Sequence, residues 1–150
     1  MVYGVRDGDT LVSCDRRKLN VDRIHAFLTR SYWSEGVSRE TIERGIGNSI
    51  PFGVYVGGEQ VGFARVISDR ASYAYLADVY IEGPFRGRGL SKLLMRVVMA
   101  HPELQGLRRW ILGTRDAHGL YRQFGFTELR RPEQWMEKAG QGLYQREGVQ

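Results

Sequence analysis

Residues 76–100 constrain the fold of this chain more than any other stretch. Residues 76–81 are apolar and strand-like, and residues 90–100 set Leu90, Leu93, Leu94, Val97 and Val98 on one face of a helix. Arg86-Gly87-Arg88-Gly89-Leu90-Ser91 joins the two. A strand that turns through two glycines into an amphipathic helix demands a sheet for that helix to pack on. Gly87 and Gly89 also remove the side chains that would hold an anion away from the main chain. The helix that follows opens with amides that have no partner inside it, and its dipole favours negative charge. Arg86 and Arg88 add forked donors. The turn reads either as a backbone cradle for a phosphate or as a plain strand-to-helix connection.

The rest of the chain supplies the sheet. Residues 10–14 form a short strand candidate, and Asn20 can cap a helix over residues 21–29. Residues 30–37 read as a loop carrying Tyr32, Trp33 and Gly36, and Ser38 can cap a second helix through Ile42 and Ile46 that ends near Gly47. Residues 52–56 and 60–67, joined through Gly57-Gly58, read as a two-residue hairpin, with a further strand at 73–81. Beyond the 90–100 helix, residues 109–114 give another strand, reached by the crossover that a parallel neighbour requires. Asp116 can cap a short helix through Leu120, Tyr121 and Phe124, stopped by Gly125. Residues 126–129 and 135–137 supply the last strand candidates.

This order describes a mixed α/β sheet with no internal repeat and no domain boundary. At 150 residues, 42% hydrophobic and 26% charged, the chain makes one globular domain with a real core. No stretch nears the roughly 18 apolar residues of a membrane span, and the N-terminus lacks an apolar signal segment. The expectation is a cytoplasmic protein without a membrane partner. The single cysteine, Cys14, leaves no internal disulfide and no cysteine-rich metal site, and reads as a small buried hydrophobe in a strand.

The net charge of +5 admits a nucleic-acid surface or a small anionic ligand. Of the 22 basic residues only Lys18, Lys92 and Lys138 are lysines, which favours forked phosphate contacts. No basic stripe with interleaved aromatics is present, so nucleic acid is the minority reading. Two nucleotide motifs fail. A dinucleotide fingerprint needs glycine where Lys92 stands, and a Walker loop needs Gly-Lys-Ser or Gly-Lys-Thr.

Arg86-Gly87-Arg88-Gly89-Leu90 after Asp78-Val79-Tyr80-Ile81, followed by Ala117-His118-Gly119-Leu120-Tyr121-Arg122-Gln123-Phe124-Gly125-Phe126, resembles the GNAT superfamily of acetyl-CoA-dependent N-acetyltransferases. The resemblance spans roughly residues 10–138. Ser91 holds the last small position of the family's loop, where Gly or Ala is usual. The family implies an α/β (in some schemes α+β) fold: a twisted, mostly antiparallel sheet with one splayed parallel strand pair, flanked by helices. It further implies a single N-acetyltransferase domain over residues 1–138, while residues 139–150, rich in Gly and Gln, read as a flexible tail. Acetyl-CoA is the implied co-substrate, no metal is called for, and a homodimer is compatible.

The resemblance also assigns roles. The pantetheine arm of acetyl-CoA would enter the gap beside Val79, Tyr80 and Ile81, and the pyrophosphate would meet Arg86, Gly87, Arg88, Gly89, Leu90, Ser91 and Lys92. A freed amide near Tyr80 or Ile81 would polarise the thioester carbonyl. Tyr121 matches the tyrosine that serves as general acid, and a phenol of pKa ~10 can protonate a thiolate whose acid has pKa ~8.5. A core aromatic is the competing reading, since Leu120, Tyr121 and Phe124 also form a packing stripe. Asp78, Glu82 and His118 are the candidate bases for the ammonium of the acceptor, and Asp78 can equally cap a bulge or pair with an arginine. Thr114 stands where many relatives carry asparagine, so a hydroxyl replaces an amide as the cofactor contact. Tyr32, Trp33 and Tyr75 are candidates to line the pocket of a small-molecule or peptide amine, or to fill core beneath the loop. A non-catalytic acyl-CoA-binding domain and an RNA-binding module are the alternative functions.

Overall fold

The computed structural model describes residues 2–140. Its centre is a six-stranded sheet in the order β1 (Gly4–Asp7), β2 (Thr10–Ser13), β3 (Ile50–Val56), β4 (Glu59–Ser68), β5 (Tyr73–Ile81) and β6 (Arg109–Ile111). Every neighbouring pair is antiparallel except β5 and β6. Local signals place the elements between the strands. Asn20 accepts a hydrogen bond from the Arg23 amide to start α1 (Val21–Leu28), and Ser38 does the same from Thr41 to start α2 (Arg39–Gly47). Gly57 and Gly58, both at positive φ, turn β3 into β4.

The sheet buries both faces. On one, Val12, Phe52, Val54, Val66 and Leu76 meet Leu90, Leu94, Val97 and Val98 of α3 (Leu90–Met99). On the other, Ile24 and Leu28 of α1 and Ile42 and Ile46 of α2 cover Phe63 and Tyr80. No helix among the described residues is long and apolar enough to cross a membrane.

Two departures from regularity in β5 prepare the site. First, its ladder with β6 holds only three pairs, Tyr73 with Arg109, Ala74 with Trp110 and Tyr75 with Ile111. Past them β5 runs on to Ile81 with no strand on that edge among the described residues, so the parallel pair splays as the resemblance implies. Second, Phe63 pairs with Tyr80 but Arg65 pairs with Ala77, so Asp78 and Val79 share the space opposite Ala64. This is a bulge, and Asp78 takes the left-handed φ of +57° within it.

Four expectations need correction. The strand expected over 109–114 ends at Ile111, because β5 and β6 part there and no ladder partner remains. Neither 126–129 nor 135–137 is a strand. Phe126 instead packs edge-on against Trp110 and Tyr121, Pro132–Gln134 is a 3-10 turn, and Trp135 lies under the Arg109 guanidinium. Asp116 does not cap α4 (His118–Arg122); Ala117 occupies the cap position and donates its amide to the Thr114 hydroxyl at 3.1 Å. A strand unforeseen in the sequence, β1, carries one apolar residue, Val5, and is exposed throughout, so it lacks the alternation that reveals strands. Gly125 does stop α4 in the left-handed region, at φ +91°. From residue 141 onward the expected tail lies outside the described residues.

The one fully buried imidazole, among the described residues, belongs to His101, 1% exposed. Its Nδ1 accepts from the Glu103 amide at 3.1 Å, which puts the proton on Nε2, facing the Cys14 sulfur at 3.8 Å. Tyr3 and Phe52 meet the ring edge-on. Burial holds its pKa below the usual value, opposed by Glu103 and reinforced by Arg70. The unfolded chain therefore takes up a proton below about pH 6.5 that the folded one refuses, so stability falls as pH drops through that window. Urea unfolding at pH 7.5 and 5.5 is expected to show a lower midpoint at the acid value, with much of the difference lost in His101→Leu. Equal midpoints for the native protein would contradict this.

Candidate active site

The turn from β5 into α3 is built to leave amides free. After Ile81, Gly83–Phe85 forms a 3-10 turn, and the Arg86 Nε folds back to donate to the Ile81 carbonyl at 2.9 Å. Gly87 and Gly89 follow at φ +81° and +77°. Open space surrounds both, with no atom within 4 Å of where a Cβ would stand, so left-handed backbone and not crowding calls for glycine there. Gly89 sits at the cap position of α3 without a side-chain hydrogen bond, and the helix ladder begins with the Leu93 amide on the Gly89 carbonyl. The amides of Leu90, Ser91 and Lys92 thus point outward unclaimed. Arg86, Arg88 and Lys92 are exposed around them, with the Arg88 guanidinium 5.2 Å from the Phe85 ring centre.

Beside this cradle lies the unpaired edge of β5. The Tyr80 side chain is turned away from it, stacked on Phe27 at 3.8 Å with planes 7° apart. Its buried hydroxyl has no hydrogen-bond partner, and burial drives its pKa far above the ordinary phenol value. Tyr80 therefore turns its phenol away from the gap, and because it pairs with Phe63 of β4 in register with the Glu82–Val61 hydrogen bond, it is the neighbouring Ile81 whose backbone groups face the open edge. Glu82 is fully engaged: Arg23 grips both carboxylate oxygens at 2.7 and 2.6 Å and reaches Glu59 at 2.7 Å as well.

Tyr121 lies on α4, packed edge-on against Phe126. It is 8% exposed, and its pKa is pushed up to about 12, first by burial and then by Tyr32 and Asp116. Thr114 anchors the start of α4 through the Ala117 amide, and His118 projects from its exposed first turn. A cleft of about 410 Å³ opens on the far flank, lined by Trp110, Leu112, Phe126 and Leu129 together with Tyr121 and His118. It touches none of residues 79–81 or 86–92. Its lining is mainly apolar and its one arginine, Arg122, is already paired with Glu128, so it suits no diphosphate.

The α1–α2 loop closes the opposite side. Trp33 Nε1 donates to Asp78 Oδ1 at 3.0 Å, while Arg65 Nε donates to Asp78 Oδ2 at 2.6 Å. Tyr32 meets Trp33 edge-on at 5.0 Å, accepts from the Arg115 amide at 3.3 Å, and carries the Arg115 guanidinium on its ring at 3.8 Å. Tyr32, Trp33 and Tyr75 are all exposed.

The structure thus gathers the sequence candidates in two sets: residues 79–81 with 86–92, and Tyr32 and Trp33 with Asp78. Sequence reasoning missed Arg65, Arg115 and Arg23. Arg65 had a signal, an arginine on the strand face between Phe63 and Ile67 that needs a buried counter-charge. Arg115 and Arg23 had none. No group of three or more His, Cys, Asp or Glu side chains able to hold a metal occurs among the described residues.

Comparison with known proteins gives concordant results. The family model of the acetyltransferase (GNAT) family matches residues 19–126. A Gibberella zeae protein assigned as an acetyltransferase is 31% identical, the match covering 82% of this chain and 82% of that protein. The crystal structure of a protein from Xanthomonas campestris pv. campestris, assigned to the GNAT acetyltransferases, is 48% identical. It superposes with a TM-score of 0.88 over 90% of this chain and 96% of that one. A Clostridium acetobutylicum protein crystallised with acetyl-CoA shares the fold, with a TM-score of 0.61 over 93% of this chain and 96% of that one at 12% identity.

The cradle makes a direct prediction about stability. Gly89→Ala is expected to lower unfolding free energy by about 1–2 kcal/mol through left-handed strain alone. Urea titration checks it, and a loss beyond about 4 kcal/mol would reveal a clash that the open space around Gly89 excludes.

Proposed function

Because the chain belongs to the acetyltransferase (GNAT) family, we propose that it transfers the acetyl group of acetyl-CoA to a primary amine on a small molecule or a peptide, by direct attack of the amine. The observation that carries this reading is the continuity of the unpaired β5 edge with the open α3 N-terminus, two sets of free backbone groups in one groove.

The residues fit the co-substrate group by group. Acetyl-CoA brings an activated thioester, a pyrophosphate and an amide-rich arm. The outward amides of Leu90, Ser91 and Lys92, flanked by Gly87, Gly89 and the cations Arg86, Arg88 and Lys92, match a diphosphate. The backbone of residues 79–81 on the open edge of β5, Ile81 foremost since Tyr80 pairs with Phe63, matches the arm and presents an amide toward a carbonyl oxygen. The Thr114 hydroxyl keeps a proton to donate while it holds the Ala117 amide.

Tyr121 is the proton donor to sulfur. With its pKa at about 12 against ~8.5 for a thiol, complete transfer is uphill by roughly 5 kcal/mol. The phenol thus acts chiefly as a hydrogen-bond donor that stabilises negative charge as it builds on sulfur. Asp78 is the better base candidate, through a lone pair that Arg65 and Trp33 leave open, since Arg23 occupies Glu82 and His118 lies in the exposed turn of α4. Tyr32, Trp33 and Tyr75 flank the acceptor.

A panel of amines with acetyl-CoA, read by thiol release, tests the activity; no release from any amine while acetyl-CoA binds would leave a binding domain. Tyr121→Phe is expected to lower kcat about 100-fold or more while the Kd for acetyl-CoA stays nearly constant. Unchanged turnover would remove Tyr121 from this role. The raised pKa also fixes the pH profile: Tyr121 stays protonated throughout the range in which the acceptor ammonium loses its proton. kcat/KM should climb with pH to a plateau and show no descending limb below about pH 11. A decline between pH 8 and 10 that Tyr121→Phe abolishes would contradict this.

A further inference from the structure

Asp78 is a residue with a side chain in a backbone conformation that favours glycine, in the middle of a strand. Such a conformation persists only where the surroundings over-determine it. Here each carboxylate oxygen has its own donor from a different element: Oδ2 receives Arg65 Nε from β4, and Oδ1 receives Trp33 Nε1 from the α1–α2 loop. The Arg65 guanidinium runs beneath α2 at Gly45, where an added Cβ would stand 3.4 Å from Nη1, an ordinary contact.

The loop is fastened at a second point. Tyr32, next to Trp33, holds the segment after β6 by accepting from the Arg115 amide and stacking under its guanidinium. Phe27, at the end of α1, stacks on Tyr80 and lies 6.4 Å from Trp33 between ring centres. The loop therefore straps the two walls of the splay, with Asp78 on one and Arg115 on the other. The bulge that Asp78 forms sets the backbone direction of residues 79–81. Any shift of those residues moves the carboxylate and, through it, the strap.

We propose that Trp33 and Arg65 are positioning residues that share the Asp78 carboxylate and thereby couple the cofactor-facing edge of β5 to the acceptor-side loop. Arg65 holds the bulge in the form that exposes the β5 amides, and Trp33 transmits that form to the strap, so that seating acetyl-CoA tightens the wall of the acceptor pocket. This rests on the acetyl-CoA reading above. A ligand shifts such an equilibrium only through differential contacts with its states, and the β5 amides freed beyond the bulge supply them.

Hydrogen–deuterium exchange on the whole protein, with and without saturating acetyl-CoA, tests the coupling. In the native protein, acetyl-CoA is expected to slow exchange at residues 86–92 and 79–81, and also at 30–37, by about fivefold or more. Trp33→Phe keeps the ring and removes the N–H; it is expected to keep the response at 86–92 and lose it at 30–37. Arg65→Gln should lose it likewise, and if that variant fails to fold, Trp33→Phe, on an exposed loop, carries the test alone. A merely structural role for Trp33 would speed exchange in the strap equally in both states and leave the ligand-induced difference intact. That outcome, or a native strap that ignores acetyl-CoA while 86–92 responds, would overturn the coupling. No response at 86–92 would instead remove the acetyl-CoA reading, and the coupling with it.

Discussion

A strand edge can pair with a neighbouring strand or with a ligand, and β5 is divided between the two. Its first residues, Tyr73 to Tyr75, pair with β6; from there to Ile81 the edge has no partner strand among the described residues. Backbone amides and carbonyls set inside a fold must find partners, and on this edge the Ile81 carbonyl does so locally, through Arg86. The rest of the site follows from this division. The splay makes room for an extended arm, the bulge at Asp78 turns the remaining amides, and the glycine turn that ends β5 delivers α3 with its N-terminus at the mouth of the same groove.

Charge is distributed to the same end. The arginines of the site are divided: Arg23 is spent on Glu82 and Glu59 and Arg65 on Asp78, while Arg115 lies on the Tyr32 ring. Arg86, Arg88 and Lys92 form no ion pair among the described residues. The cradle thus sets unpaired cations beside free amides, which suits a compact anion better than a long polyanion. The exposed aromatics Tyr32 and Trp33 lie on the strap and Tyr75 in β5, none of them in the cradle, so no alternation of bases and rings for a nucleic acid arises there.

Features set by neighbours in sequence were legible from the chain alone. Asn20 and Ser38 cap their helices, Gly57-Gly58 turns the hairpin, and the 73–81 strand ends where expected, because each depends on residues within a turn of it. Features set by distant residues were not. A bulge or an arginine pair at Asp78 was readable as an option, but its holders, Arg65 and Trp33, come from another strand and another loop, and nothing near Asp78 names them. Residues 126–129 and 135–137 have strand-like composition, but a strand exists only with a ladder partner, and Phe126 and Trp135 are drawn instead to Tyr121 and Arg109. Asp116 and Thr114 are both capping types two residues apart, and only tertiary geometry chooses the threonine. In the site, the cradle was readable because its chemistry is backbone chemistry carried by glycines. The fate of the acids was not: Glu82 and Asp78 look alike in sequence, yet Arg23 encloses the first while Arg65 and Trp33 aim the second.

The central claim is that the β5 edge and the α3 N-terminus form one continuous site for acetyl-CoA. A crystal structure of the protein with CoA tests it most directly. The account predicts the pyrophosphate on the amides of residues 88–92 and the pantetheine arm hydrogen-bonded to the backbone of 79–81, with its sulfur near the Tyr121 hydroxyl. CoA lodged instead in the apolar cleft between Trp110 and Leu129, with the glycine turn bare, would contradict it.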